Sequence, residues 1–265
     1  MPSLPLPPDF ALLESIRLRP TGELDHLDRH LDRLNRSSRT FADLYGGAHF
    51  AAGPSPAALR RRVEDFAQRV RSEASNAVST ENDSEWKIRL LVDNAGEITL
   101  EADPLAGPRA TNAVRPKLFL HDEPVDSADL FLRHKTTRRA VYAHAWRAHG
   151  LPRADSFDVL LTNERGEVTE GCISNVAVET RDSTGRTIWL TPALNAGLLD
   201  GCLRAARIED GTLTPATLRP ADLLAAAEPT RSAPPAFYPV PKAGRRIVCF
   251  NSVRGEVDVE LVVPN

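Results

Sequence analysis

A chain of 265 residues, 42% apolar and 26% charged, is long enough for two modest domains with real cores and has the composition of an ordinary globular protein. Its net charge of -3 gives no long-range pull toward nucleic acid or an acidic membrane. No apolar run approaches the ~20 residues of a membrane span, and the proline-bearing start MPSLPLPPDF lacks the basic-then-apolar order of a secretion signal.

Cys172, Cys202 and Cys249 are too few and too scattered for a disulfide framework, so a reducing, cytoplasmic setting is expected. Leu27, Leu31, Leu34 and Phe41 recur at helical spacing and predict a helix over 24–44. A second helix begins at Pro56, capped by Ser55, with Leu59, Val63, Phe66 and Val70 on one stripe. The polar residues 71–84 read as a loop. WKIRLLV and EITLEA flank Asp93-Asn94-Ala95-Gly96 and predict a β-hairpin, and 115–121 predicts another strand. The polar, proline-bearing stretch 121–129 reads as a linker between a smaller N-terminal part, 1–120, and a larger C-terminal part, 130–265. Beyond it the pattern predicts a helix over 136–149 and then strands in DVLLTN, VTE, ISNVAVET and TIWLTP. Helices follow in GLLDGCLRAARI and ADLLAAAE, then a proline-rich surface loop at 229–244, and RIVCFNSV and EVDVELVV close the chain as strands. The class is α+β in two parts.

Only four of the 33 basic residues are lysines (Lys87, Lys117, Lys135 and Lys242), so lysine chemistry is easy to locate. Lys135 stands in FLRHKTTRR. Burial and neighbouring cations lower a lysine's pKa toward the neutral, nucleophilic amine, and Arg133, His134, Arg138 and Arg139 are the neighbours in sequence. Alone, such a run is usually a solvated basic face. Glu170, in Val168-Thr169-Glu170-Gly171 ahead of Ser174-Asn175, is a turn carboxylate or a partner for a ring nitrogen. In Leu190-Thr191-Pro192 followed by Gly197-Leu198-Leu199-Asp200-Gly201-Cys202, a glycine at a helix start can leave backbone N–H groups open to a phosphate. Arg33 sits beside the apolar stripe of the first helix, and Asn251-Ser252-Val253-Arg254-Gly255 interrupts two strand signals.

Singly these features are commonplace, but their order is not. HLDRL, HKTTRR, VTEG with SN, TP with GLLDG, and NSVRG together resemble the fold-type IV pyridoxal phosphate enzymes, from about residue 10 to the C-terminus. That group holds branched-chain and D-amino acid aminotransferases and aminodeoxychorismate lyases, and the RHKTTRR and NSVRG wording is most similar to the lyases. The resemblance implies a two-domain, D-amino acid aminotransferase-like fold with pyridoxal 5'-phosphate in the interdomain cleft. It implies that Lys135 carries the cofactor and shuttles the proton, and that Glu170 meets the ring nitrogen. Arg33, Gly201, Cys202, Leu203 and Ser252 would hold the phosphate, Asn175 and Arg139 would lie at the cofactor, and Arg254 would receive the substrate carboxylate. A small-molecule amine substrate and a homodimer are expected, with no metal, nucleic acid or membrane. Asp200 stands where the family commonly has proline, Ala177 replaces a bulkier residue, and 229–244 looks like an insertion.

Two activities share all these residues. One is release of pyruvate from 4-amino-4-deoxychorismate to give 4-aminobenzoate, a folate precursor. The other is transamination of branched-chain, D-amino or other amines. A non-catalytic binding subunit is a third reading, and the intact lysine and glutamate oppose it.

Overall fold

The computed structural model describes residues 10–45, 50, 55–77, 84–105, 115–152, 155–224 and 245–263. The predicted loop at 229–244 lies outside them. By packing, the chain divides into two units. One comprises Met1–Thr111 with His134–Arg138, the other Asn112–Arg133 with Arg139–Asn265.

The first unit contains a three-stranded antiparallel sheet in chain order, β1 (Leu12–Leu18), β2 (Trp86–Val92) and β3 (Ile98–Pro104). Strand alternation puts Leu12, Glu14, Ile16 and Leu18 of β1 on its buried side, so a carboxylate stands in an otherwise apolar row. The β2–β3 register brings Lys87 opposite Asp103 and Arg89 opposite Glu101, and both pairs close ion pairs, at 2.8 and 2.7 Å. The hairpin turns on Asp93, whose Oδ1 accepts from the N–H groups of Ala95 and Glu97, both at 2.9 Å, while Gly96 takes a φ of 83°. Helix α1 (Leu27–Tyr45) buries the predicted leucine and phenylalanine stripe, and His30, Arg33 and Ser37 go in with it. Helix α2 (Pro56–Ala77) continues through the start of the segment read as a loop, because Arg71, Glu73 and Ala74 are good helix formers that need no apolar stripe.

The other edge of β1 meets a distant piece of chain. Leu12 bridges Thr136, Leu13 N–H donates to the Lys135 carbonyl at 2.9 Å, and Thr137 N–H donates to the Ala11 carbonyl at 2.9 Å. Residues 134–138 are therefore not the start of the predicted helix, which forms only as α4 (Ala140–Ala148), after the one-turn helix α3 (Leu130–Arg133). Long-range backbone pairing has overridden local helix preference here.

The second unit is built on an eight-stranded mixed sheet, ordered β6-β5-β4-β11-β10-β7-β8-β9. Its strands are β4 (Lys117–Leu120), β5 (Ser156–Thr162), β6 (Val168–Gly171), β7 (Asn175–Arg181), β8 (Thr187–Pro192), β9 (Thr214–Ala216), β10 (Ile247–Asn251) and β11 (Gly255–Val262). Leu118, Leu160, Val176, Val178, Leu190 and Ile247 fill one core, and Phe119, Val159, Leu161, Tyr142 and Ala145 fill another. Adjacent residues of β4 and β5 thus enter different cores, as expected of parallel strands covered on both faces. Helices α5 (Cys202–Glu209) and α6 (Pro220–Leu224) complete the unit. Residues 121–129, read from sequence as a linker, lie in this unit. Val125 N–H donates to the Thr162 carbonyl at 2.8 Å, and Ser127 donates to Glu164 through N–H and Oγ at 2.9 and 2.7 Å. Among the described residues no helix is long and apolar enough to cross a membrane.

Candidate active site

In the first unit the chemistry gathers around Glu14. Its carboxylate is 1% exposed and accepts hydrogen bonds from three buried atoms. Arg33 donates through Nε at 2.9 Å and Nη2 at 2.5 Å, and His30 Nδ1 lies at 2.6 Å. Burial pushes the Glu14 carboxyl up, but the Arg33 charge and the hydrogen bonds from His30 and Arg33 outweigh it and bring it to about 2. His30 is lowered too, which for an imidazole disfavours the charged form. Burial lowers it most, against the pull of Glu14, and the charges of Arg33 and Lys135 lower it further. His30 is therefore a neutral imidazole whose Nδ1–H donates to Glu14. Its Nε2 is a buried acceptor with no hydrogen-bond partner among the described residues.

Lys135 is half-buried, and its backbone is fixed against β1 by the bond from Leu13. The four neighbours singled out in the sequence divide between the two units. His134 packs its ring edge-on to Phe41, centroids 5.3 Å apart, with Nδ1 2.9 Å from Ser37 Oγ. Arg133 belongs to the second unit and donates to the Ser127 carbonyl at 2.9 Å, and Arg138 is exposed. Arg139, also of the second unit, donates to the Cys172 carbonyl and lays its guanidinium over the Tyr142 ring, 4.4 Å from the centroid.

In the second unit the centre is Glu170, at the end of β6 and 4% exposed. The Tyr142 hydroxyl donates to its Oε1 at 2.8 Å, and Asn175 Nδ2 donates to its Oε2 at 3.4 Å. Burial, then the Glu170 charge, push the Tyr142 phenol well above its usual range, so Tyr142 stays a neutral donor. Asn175 also donates to the Leu199 carbonyl at 3.1 Å, which ties Glu170 to the segment leading into α5. Gly201 caps that helix with no side-chain cap, and a Cβ there would overlap Asn175 Oδ1. The first turn of α5 (Cys202 buried, Leu203 half-buried) thus begins on bare backbone. Asp200, the departure from the family pattern, pairs at 3.2 Å with Arg204, a 2% exposed guanidinium that also donates to the Pro192 carbonyl at 2.8 Å.

Two further groups shape this centre. Asp158, on β5, is fully buried and accepts from Ser174 Oγ at 2.6 Å and Ile173 N–H at 3.1 Å. It fixes the turn between β6 and β7, and a Cβ at Gly171 would overlap it. Asn251, ending β10, donates to the Ile173 carbonyl at 3.0 Å and accepts from Val253 and Arg254 N–H at 3.0 and 2.8 Å. That holds the turn bearing half-buried Ser252 and exposed Arg254 against the same loop.

The structure therefore brings Glu170, Asn175, Gly201 and Arg139 into one contact network of the second unit and gathers Arg33 with Glu14 and His30 in the first. The sequence assigns no role to Glu14, His30, Tyr142, Asp158 or Arg204, although His30 opens the HLDRL motif. Glu14 carries a local signal of another kind, a charged residue in the inward row of an alternating strand.

The model of the family described as amino-transferase class IV matches residues 11–230. The chain belongs to that family. The relatives of this class IV chain include a Schizosaccharomyces pombe protein named "Putative aminodeoxychorismate lyase", 29% identical over 194 residues, which are 72% of this chain and 71% of that one. A Mesorhizobium loti crystal structure described as a "Putative amino-acid aminotransferase" is 31% identical with a TM-score of 0.68, covering 96% of this chain and 100% of that one. The PLP-bound form of a hypothetical aminotransferase from Mycobacterium tuberculosis, 22% identical, has the same fold at a TM-score of 0.66 over 98% of this chain and 87% of that one. The expected two-part α+β architecture of the class IV enzymes stands, and the chain is an enzyme of a pyridoxal phosphate-dependent family.

Two observations in the second unit fit that cofactor. A buried carboxylate oriented by a neutral phenol and an amide suits a cationic ring nitrogen. A helix that starts on glycine, where any Cβ is excluded, suits a phosphate held by backbone N–H groups.

Proposed function

We infer that this class IV enzyme is an aminodeoxychorismate lyase, converting 4-amino-4-deoxychorismate to 4-aminobenzoate and pyruvate. The observation that supports the lyase assignment is the similarity to the S. pombe relative across most of both chains. Bound pyridoxal phosphate would supply an electron sink for the pair left when a proton leaves the substrate carbon bearing nitrogen. In this reading Lys135 Nζ would hold the cofactor and would be the base that accepts that proton. Glu170, oriented by Tyr142 and Asn175, keeps the ring nitrogen protonated. Arg33, the N–H groups of Gly201-Cys202-Leu203 and Ser252 bind the phosphate, and Arg139 braces Tyr142. Arg254 receives a substrate carboxylate. The two products contain all the atoms of the substrate, so the residues need only move a proton off the amine-bearing carbon and onto the departing enolpyruvyl carbon. A cytoplasmic homodimer acting on a small-molecule amine is part of the same reading.

Amino-acid transamination is the second reading, favoured by the 31% identical M. loti chain. Both are tested on purified protein with added pyridoxal phosphate and with a Lys135→Ala variant alongside. The lyase releases 4-aminobenzoate and pyruvate in equal amounts, and the variant loses both this activity and the visible absorption band of the bound cofactor. Oxo acid formation from amino acids without 4-aminobenzoate release would replace the lyase by the transaminase. A wild type that stays colourless would overturn both.

A further inference from the structure

Three of the seven histidines, His121, His144 and His149, meet in the second unit, in a cluster the proposed chemistry does not use. His121 follows β4 and is 6% exposed, its backbone fixed by a hydrogen bond to the Leu160 carbonyl at 2.9 Å. Helix α4 carries His144 and ends at His149. The His144 and His149 ring centroids lie 5.7 and 5.5 Å from that of His121. Glu123 completes the group, with Oε2 3.1 Å from His144 Nε2. One ligand atom each from His121, Glu123 and His144 all lie within 4.8 Å of one another.

We propose that His121, Glu123 and His144 form a binding site for a divalent transition metal of the zinc class, with His149 as the residue that positions His121. The chemistry of the donors selects the ion. Two imidazoles and one carboxylate suit zinc and its neighbours, whereas calcium and magnesium demand mostly oxygen. The distances agree. Ligand atoms ~2.0–2.1 Å from a tetrahedral zinc stand about 3.3 Å apart, and His144 Nε2 and Glu123 Oε2 are already at 3.1 Å. The exposed side chains of His144 and Glu123, 53% and 69% accessible, can swing to close the remaining gap toward the buried and fixed His121. His149 Nε2 lies 3.4 Å from His121 Nδ1, where it holds the ring orientation as outer partners of ligating histidines do. Packing of the His149 ring on Phe119, centroids 5.7 Å apart, fixes it in turn. Three protein ligands leave a fourth position for water or a donor from another molecule.

The test is a Zn2+ titration of the full chain, purified without a histidine tag, stripped with a chelator and read by competition with a chromogenic chelator. One Zn2+ per chain is expected. The His144→Ala/Glu123→Gln double variant should weaken it by about 100-fold and His149→Ala by about tenfold, while His26→Ala, in the first unit, leaves it unchanged. Circular dichroism melts show whether each variant is folded. Should the double variant not fold, Glu123→Gln alone must still weaken binding. Absence of Zn2+ binding in the wild type, or affinity undiminished in folded Glu123→Gln and double variants, overturns the proposal.

Discussion

Replacing Glu14 by glutamine keeps the shape of the side chain and removes the charge that Arg33 and His30 converge on. The folded-state carboxyl sits at about 2 against an ordinary 4.5, so the native state binds its proton less readily than the unfolded chain. Stability from this source is therefore fully present above pH 4.5 and disappears as pH falls through 2. Linkage between those two values gives about 3 kcal/mol at pH 6 and about 1 kcal/mol at pH 3, a loss of ~2 kcal/mol. Glu14→Gln cannot titrate and also leaves the buried Arg33 guanidinium without its counter-charge, a defect of roughly 3–5 kcal/mol at neutral pH. Urea unfolding followed by circular dichroism, run on both proteins from pH 6 to pH 3, reads the effect. The gap between wild type and variant should narrow by ~2 kcal/mol across that range. A gap that stays constant with pH would refute the reasoning, since Glu14 would then contribute through packing and not through its charge.

Tyr142→Phe removes the hydroxyl on Glu170 and leaves a buried carboxylate one donor short. It should cost about 1.5–3 kcal/mol of stability in the same assay and weaken retention of pyridoxal phosphate on dialysis; unchanged values for both would remove Tyr142 from the site. Gly201→Ala puts a methyl into the space of Asn175 Oδ1, so cofactor affinity should fall, whereas Gly185→Ala, where a Cβ meets nothing within 4 Å, should leave it unchanged; an equilibrium titration with pyridoxal phosphate that finds the Gly201 variant unaffected would refute this.

Much of the fold was legible where the signal is local. The α1 stripe, the β2–β3 hairpin on its Asp93 turn and the strands from β5 to β8 each announce themselves within ten or so residues through periodicity or turn chemistry. What failed was decided at a distance. β1 went unread because a glutamate interrupts its apolar row, and that glutamate makes sense only with Arg33 and His30 beside it. The helix expected from 136 starts at Ala140 because β1 claims 135–137 as a neighbour. Two of the arginines beside Lys135 in sequence have partners that the run itself does not announce, Arg133 a carbonyl at Ser127 and Arg139 another at Cys172 with a tyrosine ring. Of the residues proposed to serve the cofactor, Lys135, Glu170 and Gly201 stood out by their order along the chain. Tyr142, Asp158 and Arg204, which brace Glu170, the β6–β7 turn and the segment before α5, belong to ordinary helix and strand text, and nothing in their spacing distinguishes them from core residues.

The pairing of β1 with the lysine segment also sets an order of events during synthesis. Ala11 N–H donates to Thr137 Oγ1, a partner 126 positions further along. Strand β1 is made before both of its partners among the described residues, β2 on one edge and 135–137 on the other, and the second edge waits longer for its match. An unmatched strand edge invites the wrong neighbour. The nascent chain therefore passes through a stage in which that edge must be shielded, and it is the arrival of Lys135 and its flanking threonines that ends the exposure.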